Sequence, residues 1–255
     1  MTFSDQPEYR VLPQSGGPAA VECAVYPPRF SGNAGARPGL VVHLYGHSGS
    51  CRDYNLMRAA YATVRRRLWE NGYWLVVPDL GGSHWMNDAA CRSLDAILDG
   101  LVRDQNVDPA RLHLLGTSMG GGSSLAYAMR RPGRFRSLCA IFPMTDFGQW
   151  IKEQPHHLPG IAQAHGVSPA DAGAVLEALS PLRQAAAFAG TPVFLLHGDA
   201  DTVVPVHHSR DFAAALQKQG VPVMYREAPG VGHDDIIAEP FQEEIVAFLT
   251  AQPVA

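Results

Sequence analysis

The sequence predicts an α/β fold, with a mostly parallel central sheet covered by helices on both faces. Short apolar runs, which are typical of strands buried on both faces, alternate with stretches of helical spacing over most of the chain. Glycine-containing loops follow several of these runs, as they do at the carboxyl ends of parallel strands. The length of 255 residues suits one such domain, so residues 1–255 are predicted to form a single unit.

Taken in order, the first element is a hairpin. Residues 9–12 and 20–26 alternate apolar and polar side chains around a glycine turn at 15–17, which is typical of an antiparallel pair with one wet face. Continuous apolar runs predict further strands at 40–45, 73–77, 112–115, 137–142, 193–197 and 221–226. Helical spacing predicts helices at 57–70, 88–105, 125–129, 208–219 and 235–251.

One segment breaks this alternation. Residues 143–181 contain several prolines, the pair His156-His157 and only one short helical patch, around residues 170–179. The segment lies between two predicted strands, so we interpret it as a lid-like excursion over the sheet and not as a separate domain.

Composition argues against several classes of partner and location. The formal net charge is −4 and no basic stripe runs along the chain, which argues against nucleic-acid binding. No apolar run approaches the ~20 residues that cross a membrane, and residues 1–8 lack the cationic start and apolar core of a signal peptide. Four scattered cysteines without redox or metal-ligand spacing are typical of reduced thiols, so we expect a cytoplasmic protein.

The most informative stretch is Gly-Thr-Ser-Met-Gly at residues 116–120, between an apolar run and a helix-forming segment. In a strand–turn–helix context, the glycines let the turn tighten, and the serine at its tip presents its hydroxyl to a substrate. The amide that opens the helix then points toward a developing oxyanion. We therefore predict Ser118 as a nucleophile and the backbone N–H of Met119 as an oxyanion donor; an ordinary glycine-rich turn is the alternative.

A serine nucleophile needs a base and an orienting carboxylate, and later loops offer both. His233 lies in a glycine-flanked turn after the last predicted strand, where its ring can swing toward the elbow. Asp199 and Asp201 both follow the strand at 193–197, and local chemistry does not separate them. Either aspartate could instead cap the following helix, and His233 could be a polar residue at a helix start.

Three motifs in this order resemble those of the α/β-hydrolase fold superfamily, in its serine esterase and prolyl-oligopeptidase-like branch. Residues 116–121 resemble the nucleophile elbow of the superfamily's esterases, and residues 197–205 resemble its His-Gly-x-x-Asp-x-x-Val-Pro acid loop. Gly232-His233 resembles the Gly-His that completes the triad. The resemblance covers nearly the whole chain, implies the α/β-hydrolase fold, and places the triad carboxylate on Asp201.

The loop after the first long buried strand departs from the common pattern. Many members have His-Gly there, whereas this chain has Tyr45-Gly46, a version that resembles the loop of prolyl-oligopeptidase-like hydrolases and some esterases. A backbone N–H should still complete the oxyanion hole. We expect His47 to supply it, with Ser48 as the alternative.

Aromatic residues near the carboxyl end of the sheet predict an apolar substrate pocket. Trp85 follows a buried strand and Trp150 lies in the excursion, so both are expected to bind substrate, as is the side chain of Tyr45. The alternative is that these rings only seal the core. No histidine, cysteine or carboxylate cluster has metal-ligand spacing, so neither a metal nor another cofactor is expected. His207 and His208 are interpreted as surface or lid residues.

A Ser-His-Asp triad with an oxyanion hole implies acyl transfer through a covalent acyl-enzyme, with water as the default acceptor. The expected function is that of a serine hydrolase cleaving carboxylic esters of small to medium acyl or aryl groups, with activity highest for acyl chains of about two to six carbons. The alternatives are a prolyl-oligopeptidase-like peptidase, a thioesterase or acyltransferase with the same triad, and a non-catalytic receptor. The predicted partner is a small-molecule ester.

Overall fold

A computed structural model describes residues 2–13, 16–29, 36–53 and 58–251. Its strands are β1 (Glu8–Leu12), β2 (Val21–Tyr26), β3 (Gly39–Leu44), β4 (Tyr73–Pro78), β5 (Leu112–Thr117), β6 (Ser137–Ile141), β7 (Val193–Gly198) and β8 (Val223–Ala228). They form one eight-stranded sheet with the spatial order β1-β2-β4-β3-β5-β6-β7-β8.

The sheet is parallel from β4 across to β8 and antiparallel only at its N-terminal edge. β1 pairs with β2, and β2 with β4, in antiparallel register. All further pairs, from β4–β3 to β7–β8, are parallel. Every residue of β3 to β7 is buried, as expected for strands covered on both faces. The predicted mostly parallel sheet is therefore confirmed, as is the predicted N-terminal hairpin.

The α-helices of the described residues are α1 (Arg58–Glu70), α2 (Asp88–Asp104), α3 (Met119–Met129), α4 (Phe147–Glu153), α5 (Leu158–Ala164), α6 (Gly173–Leu179), α7 (His207–Lys218) and α8 (Gln242–Thr250). In α2, the side chain of Asn87 caps the helix by accepting the amide of Ala90. Its buried face carries apolar residues three and four positions apart: Leu94, Ile97, Leu98 and Leu101. Within the described ranges, no helix is long and apolar enough to cross a membrane.

Between β6 and β7 the chain makes the predicted excursion. It contains α4, α5 and α6, whereas the sequence predicted only a patch around residues 170–179. Each helix has seven residues, too few for a helical period to stand out in the sequence. α4 is nonetheless well anchored, because Asp146 caps it and Phe147, Trp150 and Ile151 are buried. Movement of this segment as a lid stays a prediction.

The C-terminal helix is shorter than predicted. Asp235–Phe241 form a 3₁₀ helix, and α8 starts only at Gln242. Pro240 has no amide hydrogen, so an α-helical ladder cannot run unbroken through this segment. Met57, the predicted start of the first helix, and Ser15 of the predicted hairpin turn lie outside the described residues.

Candidate active site

Because the parallel strands point the same way, the loops after β3, β5, β7 and β8 meet at one edge of the sheet. The loop after β5 is a sharp turn into α3, with Ser118 at φ 54° and ψ −121°. A Cβ at Gly116 would lie 2.3 Å from the Gly120 carbonyl oxygen, and one at Gly120 would lie 2.0 Å from that of Leu44. Only glycine fits at these two positions, and the predicted strand–turn–helix context of Ser118 is confirmed.

Three side chains from three loops form a continuous hydrogen-bonded chain. His233 Nε2 lies 2.8 Å from Ser118 Oγ, and His233 Nδ1 lies 2.6 Å from Asp201 Oδ2. A carboxylate can only accept, so Nδ1 carries the proton and the lone pair of Nε2 faces the serine hydroxyl. The structure thus brings together the residues that the sequence predicted as nucleophile, base and acid.

The structure also separates the two aspartates that follow β7, in a segment named here the acid loop (residues 199–205). Asp201 Oδ1 accepts two backbone amides of this loop, at 2.8 and 2.9 Å, which leaves Oδ2 for His233. Asp199 is exposed and instead accepts the amide of Gly230 at 2.6 Å. The imidazole therefore contacts Asp201, the residue to which the resemblance pointed.

The surroundings keep Asp201 ionised. Burial works to raise the pKa of this carboxyl group, but hydrogen bonding from His197 and His233 outweighs burial and holds the pKa well below its usual range. His197 Nε2 lies 3.4 Å from Asp201 Oδ2 and 2.8 Å from the carbonyl oxygen of Val204. A carboxylate that stays charged can stabilise an imidazolium on His233 during proton transfer.

Two backbone amides beside Ser118 are available to an oxyanion. Met119 opens α3, and an amide in the first turn has no acceptor within its helix. A glycine precedes His47, and a Cβ on that glycine would lie 3.6 Å from Ser118 Cβ. Neither the Met119 nor the His47 amide hydrogen-bonds to a residue in the described part of the chain. The Ser48 amide, the predicted alternative, already donates to the carbonyl of Gly82 at 2.6 Å.

The prediction that Tyr45, Trp85 and Trp150 present surface to a substrate is wrong, because each is only 1% exposed. The Tyr45 hydroxyl donates to Asp79 at 3.3 Å and accepts the amide of Leu80 at 2.9 Å, which fixes the ring beneath the loop after β4. Trp150 donates its indole N–H to a carbonyl of the acid loop at 2.9 Å. Tyr45 and Trp150 are thus buried with their polar tips paired, which stabilises such rings, and the sequence does not show this packing.

Imidazole rings cover the two tryptophans. The His47 ring lies 5.2 Å from Trp85, and His157 stacks on Trp150 at 4.8 Å and meets His47 edge-on at 5.1 Å. Burial lowers the pKa of both histidines, to about 4 for His157, and the positive charge of neighbouring imidazoles lowers it further. His47 is exposed and His157 half-buried, so neutral aromatic rings form this rim of the site. In the sequence, only the adjacent histidines 156 and 157 hinted at such a cluster.

A second polar cluster involves Glu153, His207 and His208, whose potential ligand atoms lie within 4.8 Å of one another. The Nε2 atoms of His207 and His208 lie 2.9 and 3.2 Å from the two carboxylate oxygens of Glu153. His208 Nδ1 accepts the amides of Thr145 and Asp146 at 3.4 Å, so its Nε2 carries the proton in the neutral ring. His208 is also buried, which corrects its interpretation as a surface residue.

The arrangement of His207, His208 and Glu153 favours hydrogen bonding over metal binding. The rings of His207 and His208 are stacked, with centroids 4.5 Å apart and planes 27° apart. A metal ion bound to a histidine needs an unprotonated nitrogen and lies near the ring plane, which the proton on His208 Nε2 and the stacking both oppose. The carboxylate of Glu153 instead accepts from both imidazoles.

The model of the prolyl oligopeptidase family matches residues 61–251, which is most of the chain. The chain belongs to the prolyl oligopeptidase family. Among curated proteins, it is similar to cutinase 2 of Thermobifida cellulosilytica, with 26% identity over 196 residues that cover 74% of this chain. It spans about 60% of the length of that relative.

Solved structures show the same fold for this family member. A puromycin-hydrolyzing peptidase of Mycobacterium tuberculosis superposes with a TM-score of 0.78 and 24% identity, over 96% of this chain and 39% of that one. Carboxyl esterase 2 of the fungus Tuber melanosporum superposes with a TM-score of 0.70 and 18% identity, over 98% of this chain and 87% of that one. The predicted α/β-hydrolase fold is thereby confirmed.

Proposed function

We propose that this protein is a serine hydrolase that cleaves carboxylic esters through an acyl-enzyme on Ser118. One observation carries the proposal: the unbroken hydrogen-bonded chain from Ser118 Oγ through His233 to the ionised Asp201, at 2.8 and 2.6 Å. The similarity to a cutinase supports an ester as the substrate.

The geometry supports the following sequence of steps. As Ser118 Oγ attacks the ester carbonyl carbon, His233 Nε2 takes the hydroxyl proton, and Asp201 stabilises the resulting imidazolium. The amides of Met119 and His47 bind the negative oxygen of the tetrahedral intermediate. The C–O bond to the alcohol then breaks, and His233 returns the proton to the departing oxygen. Water then attacks the acyl carbonyl carbon while His233 takes one of its protons; the bond to Ser118 Oγ breaks, and His233 returns that proton to Oγ, which releases the acid and free Ser118.

For the substrate, we propose small to medium acyl or aryl esters. The neutral imidazoles of His47 and His157 border the site. Apolar side chains in the loops that carry the triad are exposed as well: Val203 of the acid loop is 39% exposed, and Ile236, three residues after His233, is 56% exposed. Such a mixed rim suits a small, partly apolar group. We also propose a cytoplasmic location, supported by four cysteines that are all buried and free.

Amide hydrolysis is the second candidate, favoured by the family match and by the puromycin-hydrolyzing peptidase of the same fold. The same acyl-enzyme would form, and His233 would protonate a departing amine instead of an alcohol. Esters and amides with the same acyl group separate the two candidates directly.

The experiment compares p-nitrophenyl esters with p-nitroanilides over acyl chains of about two to twelve carbons. We expect ester turnover that peaks at about two to six carbons and no detectable anilide turnover, because a p-nitroanilide has the poorer leaving group and a peptidase is needed to cleave it. Ser118→Ala should remove turnover, lowering kcat by about 10⁶, and should abolish labelling by a fluorophosphonate while the melting temperature stays close to that of the wild type. A labelled alanine variant would overturn the nucleophile, and clear anilide turnover by the wild type would favour the peptidase.

A further inference from the structure

Helix α4 and its C-cap residue reach from the excursion to the acid loop through three side chains, named here the α4 clasp: Trp150, Glu153 and Gln154. Trp150 Nε1 donates to the carbonyl of Val203 at 2.9 Å, and Gln154 Nε2 donates to the carbonyl of Thr202 at 2.9 Å. Both acceptors follow Asp201 directly in the chain. The clasp therefore touches the segment that carries the proposed triad carboxylate.

Three consecutive carbonyls of the acid loop are each held by a side chain from elsewhere. Gln154 donates to the carbonyl of residue 202, and Trp150 donates to that of residue 203. His197 Nε2 lies 2.8 Å from the carbonyl oxygen of residue 204. The amides of residues 203 and 204 face the other way and bind Asp201 Oδ1. The 202–203 and 203–204 peptides are thus each fixed on the carbonyl side by a neighbouring side chain and on the amide side by Asp201.

Burial of side chains does little to hold the first part of this turn. Thr202 is exposed, and Val203 leaves 39% of its surface in solvent. Backbone hydrogen bonds must therefore set the turn's position, and two of the three outside donors, Trp150 and Gln154, come from α4 and its C-cap. Trp150 is the stronger of these, because its ring is 1% exposed and stacked on His157, so its N–H has one fixed direction.

The third member of the clasp fixes α4 against the start of α7. Glu153 binds His207 and His208 at 2.9 and 3.2 Å, and Gln149 Nε2 holds the same carboxylate at 2.9 Å. Thr145 Oγ1 adds a 2.7 Å hydrogen bond to the carbonyl of His208. The chain runs from the acid loop into α7. The residues of the clasp therefore contact both the acid loop and the start of that helix.

We propose that Trp150 is a positioning residue for Asp201, with Gln154 in a supporting role. This inference rests on the proposed function. The indole N–H holds the Val203–Val204 peptide, whose N–H binds Asp201 Oδ1, so that the second carboxylate oxygen of Asp201 meets His233 Nδ1 at 2.6 Å. A side chain expected from the sequence to bind substrate thereby acts on the reaction through the triad.

The test replaces the indole by a ring that lacks the donor, Trp150→Phe. Loss of one neutral hydrogen bond should lower kcat on p-nitrophenyl acetate by about threefold to tenfold, with KM within about twofold. The fold-loss should be the same for the butyrate ester, because the ring does not contact the acyl group. The matched control is Trp74→Phe: Trp74 lies in β4, is 3% exposed, and its indole nitrogen has no hydrogen-bond partner among the described residues.

A double-mutant cycle with Asp201→Asn shows whether the effect passes through the carboxylate. We expect Trp150→Phe to cost less than about twofold when added to Asp201→Asn, because the residue through which it acts is already impaired. Gln154→Met removes the second donor and should lower kcat by about twofold on its own. Added to Asp201→Asn, it should also change kcat by less than about twofold. The rate of fluorophosphonate labelling at Ser118 should fall in parallel with kcat, which makes the test independent of the chosen ester.

Other results would overturn the inference. If the effect of Trp150→Phe appears in KM and varies with acyl length, Trp150 binds substrate. If the effect adds fully to that of Asp201→Asn, or equals that of Trp74→Phe, Trp150 only stabilises the fold. Failure of the proposed function has a different signature: a wild type that neither turns over esters nor labels at Ser118. Turnover of amides alone would leave the positioning role testable with the same variants.

Discussion

The hydrogen bond to Asp201 fixes the tautomer of one imidazole at the site, that of His233. Asp201 accepts from His233 Nδ1, so the basic lone pair of Nε2 is turned toward Ser118. The neighbouring aspartate, Asp199, contributes only by holding the amide of Gly230 in the loop that carries His233. Two aspartates that look alike in the sequence therefore have different effects on the base.

Asparagine at each aspartate tests this difference. Asp201→Asn should lower kcat by about 10⁴, because an amide can no longer fix the reactive tautomer or stabilise the imidazolium. Asp199→Asn should cost less than about tenfold, because its side chain can still accept the amide of Gly230. Steady-state kinetics on one ester measures both, with thermal melting as the control for folding. Larger damage from Asp199→Asn would reassign the carboxylate.

The ionisation of Asp201 predicts the shape of the pH profile. Its pKa is held well below the usual range, so it stays charged in mildly acid solution. On the acid side of the profile, log kcat/KM should therefore fall with a slope of about one, because the carboxylate adds no second protonation. Rate measurements in constant-ionic-strength buffers, with circular dichroism at each pH, give the slope. A slope near two would show that the carboxylate titrates as well.

At this scale, the sequence identifies the residues that lie in motifs. Ser118 and His233 follow from glycine-flanked turns after apolar runs, since tight turns need glycine whatever the rest of the fold does. The choice of Asp201 came only from the resemblance, because two aspartates in one loop differ by packing and not by local chemistry. The roles of Tyr45 and Trp150 could not be predicted, since burial and the partner of a polar tip depend on distant elements.

At the scale of elements, contacts with the loop after β4 set the position of the loop after β3. Ser48 has φ 62° and donates its amide to the carbonyl of Gly82 at 2.6 Å. A Cβ at Gly82 would lie 3.3 Å from Ser48 Cα. The position of the His47 amide, one residue earlier, therefore depends on the absence of a side chain on a different loop.

Gly82→Ala should displace the loop after β3 by a few tenths of an ångström and lower kcat by about tenfold, less than the 10²–10³ lost with a whole oxyanion donor. KM should change little, because the donor acts mainly in the transition state. Gly173→Ala is the matched control, since a Cβ there meets open space at the start of α6. Equal kinetics for the two variants would remove the His47 amide from the proposed oxyanion hole.

Strands were easier to predict than short helices. The apolar runs of the parallel sheet gave strand positions to within one or two residues, because burial on both faces leaves few polar positions. The excursion was different: α4 and α5 draw their stability from the capping residue Asp146 and from packing of residues such as Trp150, not from a long amphipathic period. The contacts of the α4 clasp could not be predicted from the sequence for the same reason.

At the scale of the whole molecule, parallel topology assembles the site. Ser118 and His233 are 115 positions apart in the chain, yet they meet because β5 and β8 end at the same edge of the sheet. The alternation of strands and helices was enough to predict this convergence. Under the proposed function, side chains at the rim such as His47 and His157, which tertiary packing arranges, select between an ester and an amide.

Buried neutral histidines predict that acid destabilises the whole fold. Burial, and in two cases nearby arginines, lowers the pKa of His43, His84 and His113 from the ordinary value to about 3. Between about pH 6.5 and pH 3, these three histidines are protonated in the unfolded chain and neutral in the folded chain. Unfolding therefore takes up about one proton for each of them. The free energy of unfolding should therefore fall steadily as pH drops from about 7 to about 4.

Urea denaturation at a series of pH values measures this dependence, and His113→Gln tests its cause. His113 is 1% exposed and its Nδ1 lies 2.8 Å from Ser137 Oγ, a contact that an amide can replace. The variant should lose some stability at pH 7 but show a shallower pH dependence, with proton uptake on unfolding reduced by about one between pH 4 and pH 6. His156→Gln, at an exposed position, is the control and should leave the slope closer to that of the wild type. If His113→Gln keeps the full slope, acid acts on other groups, and the buried imidazole is not what limits stability at low pH.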